Sequence, residues 1–297
     1  MSPALVYSLI AFGVLAMSTS SIIIRYSAAP AMVIALYRVV FTSLLAAFLG
    51  SCGMAKNCRE MSRQNFLYMA TAGLFLALHF AFWISSLSYT SISSSVLFTN
   101  LQVIFVLIFS VLFLGEKVNG WVVGGILVAI SGSALIGYGD LASGRFLGDM
   151  LALASGLFVA IYFLIGRKVR AQVEVWTYTS MVSAAAALVL LPASALMGCE
   201  LFSYPRIEWL FFFLLALGPG IAGHGILNWA LKYVKAPVVA VSILGESVAA
   251  SILAWILFQE LLLWYQILGG IFILGGIYLA ITNDREQGDG SAVHSEK

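Results

Sequence analysis

The sequence predicts an all-α integral membrane protein of ten transmembrane helices arranged as two inverted five-helix repeats. Three observations predict it. The 297-residue chain is 62% hydrophobic and 9% charged, with a mean hydropathy of +1.02, whereas a soluble domain carries about 25% charged residues. Its apolar residues fall into ten runs of spanning length, and one stretch recurs at a fixed register later in the chain.

A helix crosses roughly 30 Å of hydrocarbon with about 20 apolar residues. Polar punctuation divides the chain into expected spans at 3–24, 31–51, 65–86, 91–114, 119–139, 149–166, 176–197, 209–231, 236–258 and 261–282. Between Gln64 and Gly115 there is no Asp, Glu, Lys or Arg. The first run lacks a basic leader and is read as a retained span, not a signal peptide. Linkers such as Ser86–Ser91 and Lys232–Lys235 make consecutive helices antiparallel neighbours and leave no room for a soluble domain. Trp121, Trp209 and Trp264 stand at span ends, as interfacial anchors do.

Orientation follows from the Lys and Arg residues, which stay cytoplasmic in short loops. With the N-terminus inside, Lys56, Arg59, Arg63, Lys117, Arg167, Lys168, Arg170, Lys232, Lys235, Arg285 and Lys297 are inner, while Arg25, Arg145 and Arg206 are outer. Both termini are therefore expected in the cytoplasm of a cell bounded by a bacterial-type inner membrane. The polar tail, 284–297, is read as disordered. The net charge of +2 and the scattered basic residues exclude nucleic acid as a partner. Cys52, Cys58 and Cys199 show neither metal-ligand nor disulfide-framework spacing, so no metal or cofactor is expected.

Leu87–Glu116 lies over Leu231–Glu260 at a constant shift of 144 residues, placing Tyr89 on Tyr233, Gln102 on Glu246 and Glu116 on Glu260. One inserted residue later, Gly124–Ile126 meets Gly269–Ile271. Two repeats result, 1–140 and 141–283. Five helices is an odd number, so the second repeat enters the membrane from the opposite side. An inverted repeat suits a carrier that exposes one central site to either face.

Ionisable residues at membrane depth are functional candidates, and here they are Arg38, His79, His224 and Glu246. At 1.5 Å per residue, Arg38 and Glu246 lie roughly 12 and 15 Å from their nearer surfaces, and His79 and His224 sit at matching depths of roughly 21 and 22 Å. The i to i+4 spacing puts Trp83 on the face of His79 and Asn228 on the face of His224. These pairs either line a cavity or hydrogen-bond neighbouring helices. Glu246 either takes up substrate or a proton, or forms an ion pair with Arg38. Asn100 and Thr99 surround Gln102, and Ser242 precedes Glu246 by one turn, so both helices are polar at mid-depth. The Ser18–Ser21 and Ser91–Ser95 runs suit close packing and back-bonding. Gly218, Pro219 and Gly220 mark a kink or hinge in the eighth span. Glu116 and Glu260 fix loops.

Five stretches in order resemble the drug/metabolite transporter superfamily in its ten-helix EamA-type branch: Ile34–Phe48 around Arg38, Leu78–Ser91, Val111–Val118, His224–Val234 and Leu244–Glu260. The resemblance covers nearly the whole chain. It implies a basket-like bundle with a central cavity lined mainly by helices 1, 3, 4, 6, 8 and 9, and export of small organic molecules by alternating access. Trp83 and Tyr162 would form apolar walls, with His79, Asn100, Gln102, His224, Asn228 and Glu246 binding polar groups. Amino acids or related compounds are the expected cargo; a passive facilitator or channel, or a carrier of drugs, purines or sugars, is the alternative reading. Phosphorylated or nucleotide-linked sugars call for several deep cations, and only Arg38 lies deep. No HExxH, paired carboxylates or Cys/His set suggests an enzyme. The chain reads as a monomer, with an oligomer as the alternative. It departs from the family pattern at Val103 and Ser247, where prolines commonly follow Gln102 and Glu246, so kinks there have no proline to make them.

Overall fold

The computed structural model describes residues 3–90, 92–137, 146–258 and 263–294. In chain order its helices are α1 (Pro3–Tyr26), α2 (Ala31–Leu49), α3 (Ser51–Glu60), α4 (Arg63–Ser86), α5 (Ile92–Asn100), α6 (Gln102–Leu114), α7 (Gly120–Gly137), α8 (Phe146–Val169) and α9 (Val175–Leu196). They continue as α10 (Arg206–Leu215), a π-helical stretch (Ala216–Gly225), α11 (Ile226–Ala230), α12 (Ala236–Ile243), α13 (Gly245–Phe258) and α14 (Trp264–His294). Among the described residues nine helical stretches are long and apolar enough to cross a membrane. A shorter apolar helix, Gly120–Leu135, holds the fifth place. The fold is the ten-span helical bundle that hydropathy predicts.

Span ends are set by local chemistry. Ser62 caps α4 by accepting from the Asn65 N–H at 3.1 Å, and Glu174 caps α9 by accepting from Trp176 and Thr177. Each cap supplies an acceptor for first-turn amides that have none inside the helix. Gly115 ends α6 in the left-handed conformation, φ 64°, which only glycine adopts without steric cost. The serine-rich run of α1 back-bonds as expected, Ser18 to Leu15 O and Thr19 to Ala16 O.

Two features depart from the expected pattern, a polar loop helix and the proline-free breaks in two spans. A polar helix, α3, occupies the loop after the second span; hydropathy is blind to it because it carries Lys56, Arg59 and Glu60 and does not cross. The last helix runs from Trp264 to His294. The fourth span breaks at Leu101 and the ninth at Leu244, without prolines. There the amides of Leu101 and Leu244 donate to Phe98 O and Val241 O, an i to i−3 turn in each case. The eighth span widens into π turns around Pro219, which has no N–H to donate and whose ring crowds the preceding turn. That last irregularity is the expected kink.

Packing follows the repeat. The α2 helix packs on α9 and α7 on α14, each span against its own counterpart. The third span, α4, packs on the sixth, α8; correspondingly, the π stretch of the eighth span packs on the first, α1. Likewise α5 and α6 lie on α8, and α13 lies on α1. Exchanging the halves maps this set of pairings onto itself. The α7–α14 crossing is backbone-close: a Cβ added at Gly276 would stand 2.4 Å from Gly125 O, and one at Gly132 would stand 2.4 Å from Gly269 O. Small residues permit this approach, and dispersion between the backbones stabilises it in lipid.

Candidate functional site

Where the two halves meet, α1, α2, α4, the α5–α6 break, α8, the π stretch and the α12–α13 break surround a cavity of about 40 Å³. Arg38, His79, Trp83, Asn100, Gln102, His224 and Glu246 all line it. Tyr162 and Asn228 line an adjoining space that shares Arg38, Phe80 and His224 with the first. The structure thus gathers all nine candidate residues into one contiguous region.

Arg38 is 2% exposed. Its Nη1 donates to Ser20 Oγ at 2.8 Å, and its guanidinium lies 4.2 Å from the Phe80 ring centroid, a cation–π contact worth about 0.5–2 kcal/mol. Its Nε is buried with no acceptor among the described residues. Glu246 stands in the first turn of α13 and is part-exposed to the cavity. Among the described residues no direct ion pair joins Arg38 to Glu246, although each lies within electrostatic range of the other. Of the two sequence alternatives, the structure does not form the ion pair.

The two histidines are repeat counterparts, one on α4 and one in the π stretch, and their ring centroids are 6.4 Å apart. His79 Nδ1 lies 2.8 Å from Ser155 Oγ, and its ring stacks on Trp83 at 6.3 Å with 5° between planes. His224 stacks on Phe163 at 6.4 Å and meets Phe80 edge-on at 5.6 Å. Its Nδ1 is buried without a partner. One turn on from each histidine the repeat diverges: Trp83 presents a ring, whereas Asn228 accepts a hydrogen bond from the Tyr162 hydroxyl at 2.7 Å.

The two helix breaks face each other. Asn100, just before the first, donates through Nδ2 to Ser247 Oγ, just after the second, at 2.8 Å. On the far side, Gly156 of α8 abuts the first break so closely that an added Cβ would sit 2.7 Å from Thr99 O. Gln102, at the start of α6, keeps a buried Oε1 with no donor among the described residues. A buried polar group left unpaired costs about 1–3 kcal/mol, so Arg38 Nε, Gln102 Oε1 and His224 Nδ1 hold unspent bonding capacity at a cavity. Ser242, by contrast, turns back on Val238 O and adds nothing to it.

Three site residues escaped the sequence reading, Phe80, Ser155 and Phe163, and Ser20 was read as a packing residue. Phe80 adjoins His79 and was legible as its neighbour; the others carry no depth-specific signal. Arg170, counted among the loop charges, is 3% exposed and donates to Asn228 O at 3.1 Å and to Val173 O. Burial holds its guanidinium below the usual arginine range, with Glu174 opposing. Glu116 fixes a helix end as expected, accepting from Arg167 Nε at 2.8 Å; its counterpart Glu260 lies outside the described residues.

A bundle of broken helices in two similar halves around a central cavity fits the class of multi-pass membrane transporters. The chain belongs to the EamA-like transporter family, whose model matches residues 4–138 and again 146–282. It is similar to two uncharacterized transporters of Archaeoglobus fulgidus. One is 25% identical over 80% of this chain and 85% of its own length, the other 24% over 85% and 88%. A solved crystal structure shares the fold with a TM-score of 0.75 at 18% identity, covering 96% of this chain and 99% of its own.

Proposed function

We propose that the protein is a secondary active transporter that exports small polar metabolites, amino acids foremost, across a bacterial-type inner membrane by alternating access, with both termini in the cytoplasm. One observation carries the reading: two helices broken within one residue of equivalent repeat positions bracket a cavity lined by polar groups. A permanently open pore needs no such symmetry, whereas a carrier exchanges the environments of its two halves to switch access. In this reading Trp83 and Tyr162 form the apolar walls. His79, Asn100, Gln102, His224, Asn228 and Glu246 meet the polar groups of the cargo, and Glu246 carries any proton coupling.

The test is uptake into proteoliposomes over a panel of amino acids, amines and purines, with and without a proton gradient. Saturable flux and acceleration by unlabelled compound on the opposite side support a carrier. Glu246→Gln is expected to abolish the response to the pH gradient; an unchanged response removes Glu246 from coupling.

A further inference from the structure

We infer that the groove between α4, α6 and α8 binds one anionic phospholipid, with an acyl chain along α8 and the phosphate on Lys168. The groove is a space of about 440 Å³ that shares no lining residue with the central cavity or the space adjoining it. Its floor is one face of α8, where Ile161, Leu164, Ile165 and Lys168 follow the i, i+3, i+4, i+7 spacing. Phe113 of α6 forms one wall and Tyr68 of α4 the other. Phe113 is 74% exposed, so the groove opens away from the bundle. From Ile161 to Lys168 the floor runs roughly 10 Å, most of the roughly 15 Å that the hydrocarbon of one leaflet measures. It is apolar along this length and polar at its end.

The charge at that end selects the headgroup. Lys168 Nζ donates to the Tyr68 hydroxyl at 2.8 Å and lies 4.6 Å from its ring centroid. Both contacts are to a phenol, and among the described residues no carboxylate pairs with Lys168. Gln64 donates to the same hydroxyl at 3.0 Å, which leaves the Tyr68 proton to be given to another acceptor. The carboxylates of Glu116 and Glu174 are taken up by Arg167 and by the first amides of α9. Exposed Arg63, at the start of α4, and exposed Lys117, just after α6, stand at the same end of the bundle. An ammonium and a phenol proton are thus offered to an anion at the rim of an apolar trough. A phosphodiester carrying an acyl chain meets both parts, and a lysine near the membrane surface favours an anionic headgroup over a zwitterionic one. Soluble phosphate meets the rim alone, while a second copy in the same orientation brings the same cations to the same depth and is repelled. Seated there, the chain braces α6, the half of the fourth span beyond its break, against α8, whatever the central cavity carries.

The test is native mass spectrometry of the delipidated full-length protein, titrated with dioleoyl phosphatidylglycerol or with dioleoyl phosphatidylcholine, which have the same chains. One phosphatidylglycerol is expected to bind about fivefold or more tighter than phosphatidylcholine, the effect of one lysine beside an anionic headgroup. Lys168→Gln, at an exposed position, should bring phosphatidylglycerol down to the level of phosphatidylcholine, and Lys168→Arg should keep the preference. Ile161→Trp, which fills the trough, should weaken both lipids. Lys232→Gln removes a cation at the same end of the bundle but outside the groove, and should behave as wild type. Equal binding of the two lipids by the wild type, or equal losses in Lys168→Gln and Lys232→Gln, overturns the site. Displacement of the lipid by inorganic phosphate overturns it too, since the acyl chain then adds nothing. A crosslinked dimer formed in native membranes by Phe113→Cys and absent from the wild type gives the groove to a second copy instead.

Discussion

At the scale of single residues, the site is marked by groups that stay buried without full satisfaction. Ser155 shows the contrast: it holds His79 Nδ1 at 2.8 Å and so fixes the ring against Trp83. Removing one partner of a buried bond costs about 1–3 kcal/mol. Ser155→Ala is therefore expected to lower the unfolding temperature in detergent and to weaken substrate binding, whereas Ser131→Ala, on an exposed hydroxyl bonded only to its own helix, should leave both unchanged. Depth counting found Arg38, His79, His224 and Glu246 because ionisable residues in hydrocarbon are rare and conspicuous. Ser155 and Phe163 stayed hidden, and Ser20 read as packing, because small hydroxyls and phenylalanines are ordinary membrane-helix residues. Their roles come from which helix they face.

Element-scale behaviour divides the glycines and the breaks into sharp cases. An added Cβ at Gly276 collides with Gly125 O at 2.4 Å, while one at Gly124, turned away from that contact, meets nothing within 4 Å. Gly276→Leu is expected to prise α7 from α14 and to abolish monodisperse protein on size exclusion; Gly124→Leu should purify normally. Equal behaviour of the two would place the crossing elsewhere. At Leu101 the helix already gives up its regular bonds, so a proline in the first turn of α6 has little left to disrupt. Val103→Pro should change stability by less than about 1 kcal/mol, and Val106→Pro, buried in mid-helix, should cost about 3 kcal/mol or more. Hydropathy located the spans because length and apolarity alone decide them. It missed the breaks because no proline signals them; instead Gly156 presses on the Thr99 carbonyl and Asn100 bonds Ser247 across the gap. Polar α3 escaped for the opposite reason, having no apolar run to detect.

For the whole molecule, the repeat is the organising fact. It was legible as a shift of 144 residues, and it reappears as helix pairings that survive exchange of the halves and as His79 facing His224. Its exceptions are equally informative, since Gln102 against Glu246 and Trp83 against Asn228 make the scaffold symmetric and the cavity asymmetric. Symmetry supplies two equivalent ways to open; asymmetry supplies chemical choice. The central claim is that this cavity serves as a carrier site reached from one side at a time. Counterflow tests it most directly: proteoliposomes preloaded with unlabelled compound receive a trace of the labelled one, over the panel of amino acids, amines and purines. The account predicts a transient accumulation of label above its equilibrium level for at least one amino acid. Non-saturating equilibration without overshoot, for every compound in the panel, would contradict it.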